Sequence, residues 1–162
     1  TNTLRQCVSI TGGDVSINQC TIAQFYPFDG NRGAAFAMTG PLVNMLCQNT
    51  LITGYADDEM MITTHKMLTY RFADCIIRTP KITTADSVYF TRVVYEDIED
   101  TTHCGRKHFA RMDTHNLIYD FGLDSLSSAI GRANQLTALP YDRLGRHRDE
   151  HPDIGAYEYF KP

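Results

Sequence analysis

A string of an apolar residue, any residue, an apolar residue and threonine recurs four times in this chain. The copies are Val8-Ser9-Ile10-Thr11, Phe36-Ala37-Met38-Thr39, Met60-Met61-Ile62-Thr63 and Val88-Tyr89-Phe90-Thr91, at spacings of 28, 24 and 28 residues. A near-fixed period in this range is the signature of a stacked, one-dimensional architecture, in which each unit is too small to bury itself and lies on its neighbour.

A second repeat follows at a nearly constant offset. It reads Val15-Ser16-Ile17, the corner Asn18-Gln19, then Cys20-Thr21-Ile22. The next copies are Met45-Leu46-Cys47, Gln48-Asn49, Thr50-Leu51-Ile52 and Tyr70-Arg71-Phe72, Ala73-Asp74, Cys75-Ile76-Ile77. Apolar residues alternate with variable ones inside each half, which is strand periodicity. The corners hold Gln, Asn and Asp, and the last two tolerate the left-handed backbone of a sharp bend. The pattern predicts three strands per rung, with Ile17 over Cys47 over Phe72 and Ile22 over Ile52 over Ile77. Rungs about 4.8 Å apart make the expected fold all-β, a right-handed parallel β-helix (a single-stranded solenoid). Rungs are expected over 1–95, with a loop excursion and C-terminal cap section of the same domain over 96–162. A solenoid exposes apolar surface and strand edges at each end. Because a rung starts almost at once at Val8, the stack is expected to be N-terminally incomplete, continued by upstream rungs or covered by a partner chain.

The length of 162 residues fits one domain, and 43% hydrophobic residues with no low-complexity run argue for a packed core. A net charge of -4 argues against a nucleic-acid surface, and no apolar run is long enough to span a membrane. The first residue is not Met and no signal peptide is present, so a trimmed or mature piece is expected. Five cysteines with no paired spacing do not suggest a disulfide scaffold. Cys20, Cys47 and Cys75 fall at inward repeat positions and read as small core filler. Loops are expected over 24–33, 54–59 and 78–86, and a short helical turn near 126–134.

The tail carries a resemblance. Tyr119-Asp120-Phe121-Gly122-Leu123 through Ser128-Ala129-Ile130-Gly131, and Asp142-Arg143-Leu144-Gly145-Arg146 followed by Pro152-Asp153-Ile154-Gly155-Ala156-Tyr157-Glu158, resemble the closing segments of bacterial right-handed β-helix surface proteins of pectate-lyase-like fold. These are the choice-of-anchor Q and polymorphic outer-membrane-protein-like groups. Ser128 stands where those proteins usually have Pro, and the interval from Arg146 to Asp153 is slightly long. The resemblance implies an extracellular or cell-surface, outer-membrane-associated location in a Bacteroides-type bacterium, and it implies no catalytic residues. Gly145 and Gly155 suit tight backbone positions, and Asp142, Arg146, Asp153 and Glu158 are expected to pair or to bond backbone groups that close the last rung.

Four groups of residues are weighed for chemistry. His147-Arg148-Asp149-Glu150-His151 has the H-x-x-E-H order of a zinc peptidase, which needs a helix; Pro152 and the flanking turns make it a chance match. His103, Cys104 and His108 lie close enough to ligate a metal but lack an evident fourth ligand. Asp57, Asp58 and Glu59 form the best acidic cluster, with calcium the ion their hard oxygens would hold; adjacent residues on an extended backbone alternate faces, so a solvated turn competes with that reading. In polysaccharide lyases of the resembled fold, calcium bridges carboxylates and an acidic sugar while Arg or Lys takes the proton; Arg71, Arg78 and Lys81 lie one rung on. Phe25, Tyr26, Phe28 and Tyr55 cluster at two rung ends. Of these, Tyr26, Phe28 and Tyr55, with Asp57, are the residues chosen for glycan contact.

The expected function is a structural, adhesive or glycan-binding segment of a secreted or surface β-helix protein, without catalysis of its own and without a required cofactor. The alternative is part of a polysaccharide lyase or glycoside hydrolase.

Overall fold

The computed structural model describes residues 3–41, 43–63, 69–82 and 88–161. The end of the loop expected over 78–86 lies outside them. The described residues contain thirteen strands and no α-helix. In chain order the strands are β1 (Val8–Ile10), β2 (Gly13–Asn18), β3 (Thr21–Gln24), β4 (Phe36–Met38), β5 (Val43–Gln48), β6 (Leu51–Gly54), β7 (Met60–Ile62), β8 (Thr69–Ala73), β9 (Ile76–Ile77), β10 (Phe90–Thr91), β11 (Val94–Tyr95), β12 (Phe109–Asp113) and β13 (Ile118–Leu123).

The first eleven form three sheets, ordered β1-β4-β7, β2-β5-β8-β10 and β3-β6-β9-β11. Every pairing among them is parallel. Val8 pairs with Phe36 and Phe36 with Met60. Ile17 pairs with Cys47 and Cys47 with Phe72, while Ile22 pairs with Ile52 and Ile52 with Ile77. The register is the one the repeats predict. The fold is therefore all-β, with its first eleven strands in parallel sheets, an arrangement compatible with a solenoid.

The corners explain how one strand type gives way to the next. Gln19, Asn49, Asp74 and Arg92 all have left-handed backbone, with φ of 46°, 47°, 55° and 52°. Each of the first three donates its N–H to a carbonyl of the next level: Gln19 to Gln48, Asn49 to Ala73 and Asp74 to Thr91. The backbone ladder thus continues through the bend, and the N–H groups of these buried corners stay paired.

Arg92 corrects one expectation. The copy Val88-Tyr89-Phe90-Thr91 does not extend the sheet of β1, β4 and β7. Phe90 pairs with Phe72 and Thr91 with Ala73, so it belongs to the second sheet. The motif is shared because an apolar residue before a polar one suits the end of either strand type. Phe90 stacks on Phe72, its partner in the next level, with centroids 5.0 Å apart and planes 9° from parallel.

The interior holds Ile10, Phe36, Met38, Met45, Cys47, Ile52, Phe72, Cys75 and Ile77 in one cluster. Cys47 and Cys75 are buried, as their inward repeat positions predict. A second apolar cluster lies outside the third sheet. There Ala23, Leu51 and Ile76 pack with Phe25, Phe109, Leu123, Ala129 and Ile154. The third sheet is thereby covered on both faces, which is why Leu51-Ile52 and Ile76-Ile77 read as continuous apolar runs while β5 alternates buried and exposed.

The C-terminal section packs on the stack through this second cluster. The contacts of the C-terminal section run along the flank of the stack, level after level. The Asn18 amide donates to the Thr137 carbonyl, Asn134 N–H donates to Asn49 Oδ1, and the Asn134 amide reaches Asp74. Gly155 N–H donates to the Asn49 carbonyl and Ala156 N–H to Thr21 Oγ. Gly155 sits at φ 109°, and a Cβ there would lie 2.9 Å from Thr21 Oγ, so only glycine permits the approach. Parallel strands leave their outer face apolar here, and burial drives the section sideways onto it.

The tail charges also find partners. Arg146 grips Asp142 at 2.7 Å, and buried Arg148 grips Glu158 at 2.7 Å. Asp153 accepts the Gly131 and Tyr159 N–H groups. Sequence reasoning did not foresee the antiparallel hairpin β12-β13.

Candidate functional site

Most of the chemistry-bearing side chains gather where the third sheet ends and the loop after β11 crosses it. Glu96 follows β11 and is fully buried, as is His108, the last residue of a short 3-10 turn at Gly105–His108. His108 Nε2 meets Glu96 Oε1 at 3.0 Å, and its Nδ1 meets Ser127 Oγ at 2.8 Å. The other Glu96 oxygen accepts from Arg78 Nη1 and Gly105 N–H, each at 3.1 Å. Burial raises the Glu96 carboxyl, but the bond and charge of His108, with the Arg78 guanidinium, outweigh it and the net direction is down. A buried carboxylate with donors on both oxygens is electrostatically satisfied.

Hydroxyl, imidazole and carboxylate in line have the order of a nucleophile, base and orienting group. Ser127 is buried and also accepts the Ala129 N–H. The chain of bonds therefore locks the C-terminal section to the loop and does not present a nucleophile.

Cys104 lies beside this pair, and Glu96, Cys104 and His108 place ligand atoms within 4.8 Å of one another. Burial first, then the charges of Glu96 and Asp100, push the Cys104 thiol up to about 11. Without a cation it is a protonated thiol and a weak nucleophile. A cleft of about 330 Å³ opens onto it, lined by Tyr55, Arg78, Asp100, Cys104, Arg106 and Lys107 among others.

The residues expected for glycan contact fall in two places. Tyr26 and Phe28 form an edge-to-face pair at 5.5 Å, with Phe28 68% exposed. Tyr55 lines the cleft, its ring 4.9 Å from the Arg32 guanidinium. Phe25 is completely buried between Tyr55 and Phe109 and belongs to the core. Asp57 is exposed and lies 3.7 Å from Arg78, at the rim.

The acidic cluster is divided among separate partners. Asp58 accepts from Thr79 Oγ and Met60 N–H. Glu59 turns inward, fully buried, and its two oxygens accept the Ala35 and Ala56 N–H groups at 2.7 and 2.8 Å. Burial pushes its carboxyl up to about 7, against those two bonds and the charges of Arg32 and Arg78. Asp57, Asp58 and Glu59 thus go to three separate sets of partners. Of the basic residues one rung on, Arg78 meets Asp57, whereas Arg71 bonds Thr91 in the second sheet.

His103 pairs with Asp100 at 3.0 Å, and the same Asp100 oxygen lies 4.0 Å from Cys104 Sγ. The H-x-x-E-H string forms no helix: His147 Nδ1 bonds the Arg148 carbonyl, and Arg148 is turned inward onto Glu158. Sequence reasoning missed Glu96 and Ser127 as partners of His108, and Arg78 as a partner of Glu96, because the loop that joins them has no periodicity to read.

No protein-family model matches the chain, and no curated protein matches it.

Proposed function

We propose that this chain is a segment of a right-handed parallel β-helix protein of the bacterial cell surface, a rigid module with a glycan-contacting flank. The observation that carries the reading is the ladder of parallel strands joined through left-handed corners at Gln19, Asn49, Asp74 and Arg92. Repetition of that kind yields a stiff rod whose flank, not its interior, meets ligands. The outer edges of β1, β2 and β3 pair with no strand among the described residues. Further coils or a partner chain would satisfy them.

On the flank, exposed Phe28 against Tyr26 offers a platform for a sugar ring, and Tyr55 with Arg106 and Lys107 offers ring and charge together. Titration of neutral and acidic oligosaccharides, followed by tyrosine fluorescence, tests this. Phe28→Ala and Tyr55→Ala should each weaken binding at least about tenfold, the order expected for loss of an aromatic contact. Unchanged affinity in both variants would remove the glycan reading.

The second reading is a polysaccharide lyase or glycoside hydrolase. The observation in its favour is the same cleft, whose lining holds Asp100 together with Arg78, Arg106 and Lys107. A calcium-dependent rise in melting temperature together with release of unsaturated sugar would support it.

A further inference from the structure

We propose that Glu96, Cys104 and His108 form a zinc-binding site whose open position faces the cleft beside Tyr55. The three ligand atoms lie within 4.8 Å of one another and come from two short stretches, the end of the β11 segment and the 3-10 turn. A carboxylate, an imidazole and a thiolate are the donor types zinc takes, and three protein ligands with one open position are its reactive arrangement. The sulfur argues against calcium or magnesium, which take oxygen.

The distances fit. Zinc bonds of about 2.0–2.2 Å to N and O at a tetrahedral angle hold the two ligand atoms about 3.3 Å apart. His108 Nε2 and Glu96 Oε1 already stand 3.0 Å apart. The ion takes the place of the proton between them. A shift of about 1 Å brings Cys104 Sγ in, given a zinc–sulfur bond of about 2.3 Å. Cys104 and Gly105 line the cleft, which provides the entry path.

The surroundings are those a metal site needs. Ser127 Oγ lies 2.8 Å from His108 Nδ1 and receives that N–H once Nε2 turns its lone pair to the metal. Arg78 stays on the second Glu96 oxygen and fixes the carboxylate. The proton balance is simple. Zinc takes the Nε2 position that faces Glu96, the ring N–H toward Ser127 stays on Nδ1, and Cys104 gives up its thiol proton. Binding therefore releases protons to solvent, and the two ligand charges, Glu96 and Cys104, neutralise the ion.

The test uses the whole chain under a non-chelating phosphine reductant, titrated with cobalt(II) and then zinc. One cobalt per chain, with a thiolate charge-transfer band and tetrahedral visible bands displaced by zinc, is the expected result. Cys104→Ser should abolish the charge-transfer band and weaken zinc binding, while Ser127→Ala should weaken it about 10–100-fold by freeing the imidazole. His151→Ala should change nothing. Absence of binding, or binding that Cys104→Ser leaves intact, overturns the proposal. Should Cys104→Ser not fold, the side-chain nitrogen resonances of His108 in the unsubstituted chain decide: a zinc-induced shift at Nε2 supports the site, and none refutes it.

Discussion

Gly54→Ala puts a single methyl group where the Glu59 carboxylate rests. An ideal Cβ at position 54 would lie 2.0 Å from Glu59 Oε1, 2.4 Å from its carboxyl carbon and 2.8 Å from the Gln24 carbonyl oxygen. The side chain must leave, since backbone on the other side cannot move cheaply. Its departure orphans the N–H groups of Ala35 and Ala56, both of which bond only through that carboxylate in the contacts described above. A buried donor left unsatisfied costs about 1–3 kcal/mol, so the pair costs at most roughly 2–6 kcal/mol, toward the lower end because Ala56 is only half-buried. That is a large share of the roughly 5–15 kcal/mol by which a domain is stable. Urea unfolding of Gly54→Ala, Glu59→Ala and the double variant measures it. Glu59→Ala already loses both bonds, so adding Gly54→Ala to it should cost little beyond the Gln24 contact. The cycle should show a coupling of about 2 kcal/mol or more, close to the cost of the two lost bonds. Costs that add within about 0.5 kcal/mol would refute the view that this glycine exists to seat this carboxylate.

Ile52→Asp should abolish folding, because Ile52 is fully buried and the new charge has no partner; Ile17→Asp, at the half-exposed edge level, should be milder, as circular dichroism and urea midpoints will show. Glu158→Ala should cost about 3–5 kcal/mol by stranding buried Arg148, and hydrogen exchange should then quicken at Gly155 before it does in β5 and β6. Stability should fall as pH rises from about 4 to about 7. Burial holds Asp153 up at about 6 and Glu59 up at about 7, above ordinary values of 3.8 and 4.5. The folded chain then keeps protons that the unfolded chain has released, and the advantage is lost as pH passes the folded values. Asp153→Asn should flatten the lower part of that slope in urea midpoints measured by pH, whatever it costs overall.

The parallel pairing of residues 8 to 91 was legible because stacking places like on like, and period-two alternation marks the inward set. Ile17, Cys47 and Phe72 could be aligned without coordinates for that reason. The limit of the method shows at Val88-Tyr89-Phe90-Thr91. Four residues carry too little information to tell one strand type from another, and only the corner at Arg92 tells which it is. Arg is not a residue expected in left-handed backbone, so that corner gave no signal. It is held by a bidentate grip on Asp74, at 2.6 and 2.7 Å, that joins residues eighteen positions apart. The site was legible only in its pieces. Cys104 and His108 are near in sequence, but Glu96 reaches them by a loop closure and Ser127 from beyond the hairpin, and neither distance follows from a pattern.

The flank-bound C-terminal section gives those separate parts a common cause. An end cap would touch one level and leave the outer face of the third sheet wet. The sheet instead offers Ala23, Leu51 and Ile76 outward as well as Ile22, Ile52 and Ile77 inward, and a doubly apolar sheet requires cover on both sides. Once Ile154 and Phe109 are drawn onto that outer face, the connecting loop after β11 must cross the end of β6, where the 3-10 turn makes its contacts. That crossing carries Glu96 and His108 into a dry environment. Polar groups brought there survive only if they bond one another, and the chain Ser127–His108–Glu96–Arg78 is the result. The clustering of ionisable groups beside the cleft is thus a consequence of the same hydrophobic strip that positions the terminal section. A change that frees the strip, such as Leu51→Ser, should therefore disturb the imidazole of His108 without touching it, and an unaltered His108 nitrogen spectrum in that variant would break the link.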